Sequence, residues 1–223
     1  MANSEHREVS EAIRRLPAPN KNLRVNVSTW AAGKLIYRIH SFKFTALQFN
    51  PGLGNARFSP MSNDVATLYG GVNTAVAIME TLFHDLPIHS DGAPFDLRRA
   101  EGMVHSVIKS SLDLTLADLN PKTLRKMGIR RADLLDSGPE QYPFTREYSV
   151  AIHQAWPQVQ GLRWSSRQHG GSAVMLFGDR IEEGQLEVVT ESENILESVS
   201  LMDILEEEAD QLGVVLLEPG GGG

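Results

Sequence analysis

The apolar residues of this 223-residue chain come in short stretches whose period changes from segment to segment, and no run of about 18 apolar residues occurs anywhere. A membrane-spanning helix is therefore not expected, and the fold has to be assembled from short strands and short helices. Alternation at Lys34–His40 (KLIYRIH), just after Gly33, predicts a strand in which Leu35, Tyr37 and Ile39 oppose Lys34, Ile36 and Arg38. A second strand is expected at Ala66–Tyr69, with Gly70 and Gly71 as the turn out of it. A helix capped by Asn73 or Thr74 follows and runs to about His84, before Pro87. Between Tyr37 and this pair, Asn50–Ser62 (NPGLGNARFSPMS) reads as a loop, the kind of segment in which binding residues concentrate.

Further strands are expected at Met103–Lys109, Leu112–Leu116, Gly161–Trp164, Ala173–Phe177 and Leu186–Thr190. Helices are expected over 5–16, closed by Pro17 and Pro19, and over 121–136 in one or two pieces opened by Pro121. Two more are expected over Phe144–Trp156 before Pro157 and from Leu196 to Leu212. The elements show no βαβ rhythm and no internal repeat, which makes the chain α+β. With 41% hydrophobic and 22% charged residues, it has the composition of an ordinary globular domain with one sizeable core.

The net charge of −7 conceals an asymmetry: all 21 Lys and Arg lie at or before Arg180, with 16 acidic residues among them, and 12 Asp and Glu follow between Glu182 and Glu218. A basic body suits a phosphate-bearing or nucleotide ligand, and an acidic end repels nucleic acid; a solvated helix face accounts for the acidic block equally well. There is no cysteine, so a disulfide scaffold, a CxxC redox pair, a Cys-rich zinc site and a Cys nucleophile are all excluded. The opening MANSEHREVSEAIRR lacks the apolar run of a signal peptide, and a cytoplasmic protein is the expectation.

Several residues could carry chemistry. Glu80, in VNTAVAIMETLFH, has Val76, Ala77 and Phe83 as helical neighbours, so its carboxylate projects from an apolar face and needs either a partner, such as an Arg, or a purpose. Arg57 stands in a Gly-bearing loop, where a guanidinium can hold a phosphate or carboxylate in bidentate fashion or simply face solvent. Arg38 can point into a cleft or outward. Tyr69 can meet a ligand or pack as a half-buried strand residue.

In GLRWSSRQHGG, Ser165 and Ser166 lack the G-x-S-x-G elbow of a serine nucleophile and read as ligand hydrogen-bonders or turn residues. His84, Asp85 and His89 have a proline between the two histidines, so no metal site is expected. Gly52-Leu53-Gly54 and Gly70-Gly71 lack the spacing of a dinucleotide or phosphate loop.

The order YRIH, GNARFSP, TLYGGVNTAVAIMETLFH, GLRWSSRQ and VMLFGD resembles the RES domain family of bacterial toxins across about 35 to 180. The resemblance implies a compact domain with a mixed, ADP-ribosyltransferase-like β core and surrounding helices. It also implies an enzyme that acts on NAD as substrate without a metal, and a place as toxin beside a helix-turn-helix antitoxin. By motif, the family's two arginines fall on Arg38 and Arg57, its tyrosine on Tyr69, its glutamate on Glu80 and its serine on Ser166. Phe58 stands where the family commonly has Trp.

On that reading 34–190 is the catalytic domain, 1–33 an N-terminal helical extension and 191–219 an acidic C-terminal helix and strand packed on the same domain; 220–223 is a Gly tail. Glu80 would stabilise the oxocarbenium-like ribose that forms as the nicotinamide bond breaks, while Arg38 and Arg57 neutralise the pyrophosphate. Tyr69 would steer the nicotinamide, and Ser166 would bond its ribose or amide. The acceptor stays open: inorganic phosphate gives an NAD phosphorylase, water a glycohydrolase, and a protein side chain an ADP-ribosyltransferase. A reading of another class is a non-catalytic interaction module whose basic body and acidic end meet a partner or each other in a homodimer. No membrane or direct nucleic-acid contact is expected.

Overall fold

A computed structural model describes residues 16–86 and 92–218, and the helix expected over 5–16 lies almost wholly outside them, as does the Gly tail. Among the described residues, ten strands and five helices run in the order β1 (Asn26–Trp30), β2 (Leu35–Ser41), β3 (Thr67–Gly71), α1 (Thr74–Thr81), β4 (Ala93–Asp96), β5 (Met103–Ser110) and β6 (Leu114–Asp118). The order continues with α2 (Pro121–Met127), α3 (Arg131–Leu134), α4 (Tyr142–Ala155), β7 (Gly161–Ser165), β8 (Ser172–Phe177), β9 (Leu186–Asn194), α5 (Val199–Gln211) and β10 (Val214–Leu217). Eight strands form one mixed sheet in the order β1-β6-β7-β8-β3-β2-β5-β9, and β10 pairs with β4 in a second, two-stranded sheet. The fold is α+β, as expected.

Local chemistry explains most boundaries. Asn73 caps α1 by accepting from the Val76 N–H, and the helix stops at Thr81, short of the expected His84. Asn120 caps α2, Pro121 opens it, and Gly128 closes it in the left-handed conformation with φ of 72°. The short strands β1 and β4 were not expected. β1 (NVSTW) has two exposed positions, and its pairing partner β6 lies far along the chain.

Gly70 and Gly71 do not turn the chain; they are the last two residues of β3. Space is the reason for glycine there. A Cβ on Gly70 would stand 2.4 Å from the Ile36 side chain and 2.8 Å from the Tyr37 carbonyl oxygen, and one on Gly71 would stand 2.5 Å from Val76. These glycines let β3 press against β2 and under α1. One βαβ crossover is present after all: β6 and β7 are parallel neighbours joined through α2 to α4.

The core has three parts. On one face of the sheet, Ala173, Met175 and Phe177 of β8 pack with Phe58, Tyr148, Ile152 and Trp164. The alternate residues, Val174 and Leu176, meet Trp30, Ile36, Leu68 and Leu116 on the other face. Ile78 and Phe83, within and just after α1, pack on Phe95, Leu201 and Leu205, which draws the acidic C-terminal helix α5 onto the body.

Candidate functional site

A cleft of about 480 Å³ opens where the large sheet splits. β2 and β3 are in register only at Tyr37 and Gly71, and beyond that point no pairing joins them. Arg38, Ile39 and His40 from one strand and Thr67 and Tyr69 from the other line the gap. Glu80, on the helix above, and Arg57, on the loop across, complete it. The structure therefore brings together Arg38, Arg57, Tyr69 and Glu80. Ser166 does not line the cleft, although Trp164, two residues before it, does.

Arg57 does not face solvent. It is 8% exposed, and its Nη1 donates to the carbonyls of Leu134 (3.2 Å) and Ser137 (2.8 Å) and to the Ser137 hydroxyl (3.1 Å), while its guanidinium lies over the Tyr142 ring at 5.2 Å. The loop that carries it is fastened to α4. Arg146 donates to the Ala56 carbonyl and to Asn55, Thr145 to the Arg57 carbonyl, and Ser149 to the Phe58 carbonyl. Three successive backbone acceptors on an irregular segment are thus satisfied by one helix.

Arg38 is 5% exposed and turns into the protein, not outward. It donates to the carbonyls of Ala46 and Gln48, and its Nε is buried without a partner among the described residues. No carboxylate pairs with Arg38 or Arg57 among the described residues. Burial alone pulls the Arg38 pKa down to about 10, so it stays cationic near neutrality. A buried guanidinium held only by carbonyls leaves a positive field unanswered by the protein.

Glu80 finds an indole where an Arg was the obvious partner. The Trp164 Nε1–H donates to its Oε2 at 3.1 Å, and Trp164 is itself set edge-on against Phe58 and Tyr69, with ring centres 5.2 and 6.1 Å away. The carboxylate is half-buried and oriented by a neutral donor. The Tyr69 hydroxyl accepts from the Phe58 N–H at 3.2 Å, and desolvation pushes its pKa up to about 12, which keeps the phenol protonated.

Ser166 is 1% exposed and its hydroxyl has no partner among the described residues. Its neighbour Ser165 is exposed and spends its hydroxyl on the Gly170 carbonyl. His84 Nε2 lies 3.0 Å from Asp85, and His89 is outside the described residues.

Sequence reasoning missed three contributors. His40, in the quoted YRIH motif, lines the cleft beside Arg38; burial and then the Arg38 charge pull its pKa down to about 4, so it is neutral there. It sat two residues from a named candidate on the same strand face, which was the available signal. Trp164 was inside a quoted motif too. Tyr142 gave no local signal, since its partners Arg57 and Asp85 are remote in sequence.

A family model described as RES domain matches residues 35–196. Among solved structures, the crystal structure of the M. tuberculosis MbcT–MbcA toxin–antitoxin complex contains a chain similar to this one. The TM-score is 0.60 at 16% identity, over 82% of this chain and 92% of that one. Identity that low speaks for the fold. No curated protein matches the chain.

Proposed function

Since the chain belongs to the RES domain family, we propose that it is the toxin of a bacterial toxin–antitoxin pair and depletes NAD by cleaving the nicotinamide–ribose bond, with phosphate or water as acceptor. One observation carries the reading: two buried guanidinium groups without carboxylate partners among the described residues face the same cleft as a carboxylate held by an indole N–H. The cations suit a pyrophosphate, and the carboxylate suits a positive charge that develops close by. The resemblance of fold to a chain from a toxin–antitoxin complex supports a protein antitoxin as partner, and the partner proposed is of helix-turn-helix type.

In this reading Arg38 and Arg57 bind and orient the diphosphate. As the C–N bond lengthens, its electrons pass to the pyridinium nitrogen, nicotinamide leaves neutral, and the ribose gains oxocarbenium character that the Glu80 carboxylate stabilises. Tyr69, kept protonated, steers the nicotinamide side; Ser166, which does not line the cleft, is given no contact with NAD in this reading.

The test is NAD loss by purified protein with and without inorganic phosphate, with products resolved by mass, beside Glu80→Gln. The glutamine keeps the shape and can still accept the indole N–H, and a fall of about 10²-fold or more is expected from loss of the charge alone. Full activity in the variant removes Glu80 from the reaction. No NAD loss by wild type in either buffer refutes the reading and points to protein ADP-ribosylation or a binding module.

A further inference from the structure

Three polar side chains beside the cleft have no part in the chemistry above. Asp85 does not line the cleft, but the two residues that it binds do. Tyr142 donates its hydroxyl to Oδ1 at 2.8 Å, and His84 Nε2 stands 3.0 Å from Oδ2. The other His84 nitrogen, Nδ1, lies 3.1 Å from the carbonyl of Thr81, the last residue of α1 and one position beyond Glu80. Tyr142 opens α4, the helix that fastens the Arg57 loop, and its ring lies under the Arg57 guanidinium. One carboxylate therefore links the end of the helix that carries Glu80 to the start of the helix that holds Arg57.

We propose that Asp85 is a positioning residue: by binding His84 and Tyr142 with separate oxygens, it sets the distance between the carboxylate half of the cleft and the cationic half. Each oxygen takes one tie, so both are made at once without competing. The surroundings keep it ionised. Burial works against the charge, but the bonds from His84 and Tyr142 and the field of Arg57 outweigh it and hold the carboxyl below its ordinary pKa. The consequence for catalysis is geometric, because a reacting centre displaced by about 1 Å loses about 10²-fold in rate even when every group that touches substrate is intact.

This inference rests on the NAD-cleaving reading, and its test separates the two. Steady-state NAD loss is measured for wild type, Asp85→Asn, Asp85→Glu, Tyr142→Phe and the double variant Asp85→Asn/Tyr142→Phe, each beside its thermal midpoint. Asp85→Asn keeps the volume but has a single acceptor, so kcat is expected to fall by about 10- to 100-fold while KM moves by less than about threefold. Asp85→Glu, with two acceptors, is expected to recover part of the loss. The double variant is expected to lose no more than the worse single variant, since either change breaks the one link between the two helices.

A fall in midpoint with unchanged kcat, or losses that multiply in the double variant, overturns the proposal by making Asp85 a staple of the fold only. Wild type that consumes no NAD overturns the underlying reading, and this inference with it; active wild type with an unaffected Asp85→Asn overturns this inference alone.

Discussion

Arg38→Met separates what the buried guanidinium does for the fold from what it does for a ligand. The fall of its pKa to about 10 corresponds to about 3 kcal/mol against the charged form, set by desolvation with no acidic partner among the described residues to offset it. Methionine is similar in length, apolar and adaptable, and removes that cost. It also removes two hydrogen bonds, to the carbonyls of Ala46 and Gln48, worth about 1.5–3 kcal/mol each as bonds to a charged donor. Gln48 lines the cleft, so water can take over at least one of those acceptors. The opposing sums nearly cancel, and the net change is expected to stay within about 2 kcal/mol, or about 4–8 °C in Tm for a chain of this size.

Binding behaves differently. Inorganic pyrophosphate is expected to raise the wild-type Tm, because it binds the folded state, and to leave the variant unmoved. NAD loss in the variant is expected to fall by about 10²-fold or more. Calorimetric scans with and without pyrophosphate, read beside NAD consumption, decide the matter. A variant that melts more than about 10 °C lower would mean that Arg38 is mainly a structural tie, and a variant still stabilised by pyrophosphate would take the anion away from it.

His40 gives a pH signature. Its folded pKa of about 4 lies below its ordinary value, so the unfolded chain binds the extra proton first on acidification. The stability due to neutral His40 is therefore whole above about pH 6.5 and drains away as the pH falls towards 4, by about 2 kcal/mol or more. Denaturant midpoints should show a shallower slope across that window in His40→Gln, and an unchanged slope would refute the assignment. Gly71→Ala places a methyl 2.5–2.7 Å from Val76, on a rigid β-branched side chain of α1. A loss of about 1–3 kcal/mol in the denaturant midpoint is expected, and a neutral result would show that α1 can move off the sheet.

Elements that announce themselves through local chemistry were readable in the sequence. Alternation gave β2, a cap at Asn73 or Thr74 gave the start of α1, and Pro121 gave the start of α2. Motif order gave four residues that meet in one cleft. What escaped depends on remote partners: β1 is a strand because β6 lies beside it, and Gly70 and Gly71 belong to β3 because β2 and α1 crowd them. Glu80 accepts from Trp164, 84 positions away, and Arg57 is buried by Ser137 and Tyr142, neither of which any local pattern ties to it. The expectation of a turn at Gly70-Gly71 failed because glycine has two uses, and the sequence does not say whether conformation or space is the reason.

The fastening of the Arg57 loop to α4 also bears on when during synthesis the cleft can exist. Thr145 and Ser149, which hold the carbonyls of Arg57 and Phe58, follow them by 88 and 91 positions, and Trp164 follows Glu80 by 84. β8, the strand that pairs with all of β3, comes later still. A nascent chain that has emerged only as far as Leu135 already carries Arg38, Arg57 and Glu80 but lacks what sets them in place. The ribosome therefore delivers the ingredients of the site well before it delivers the site.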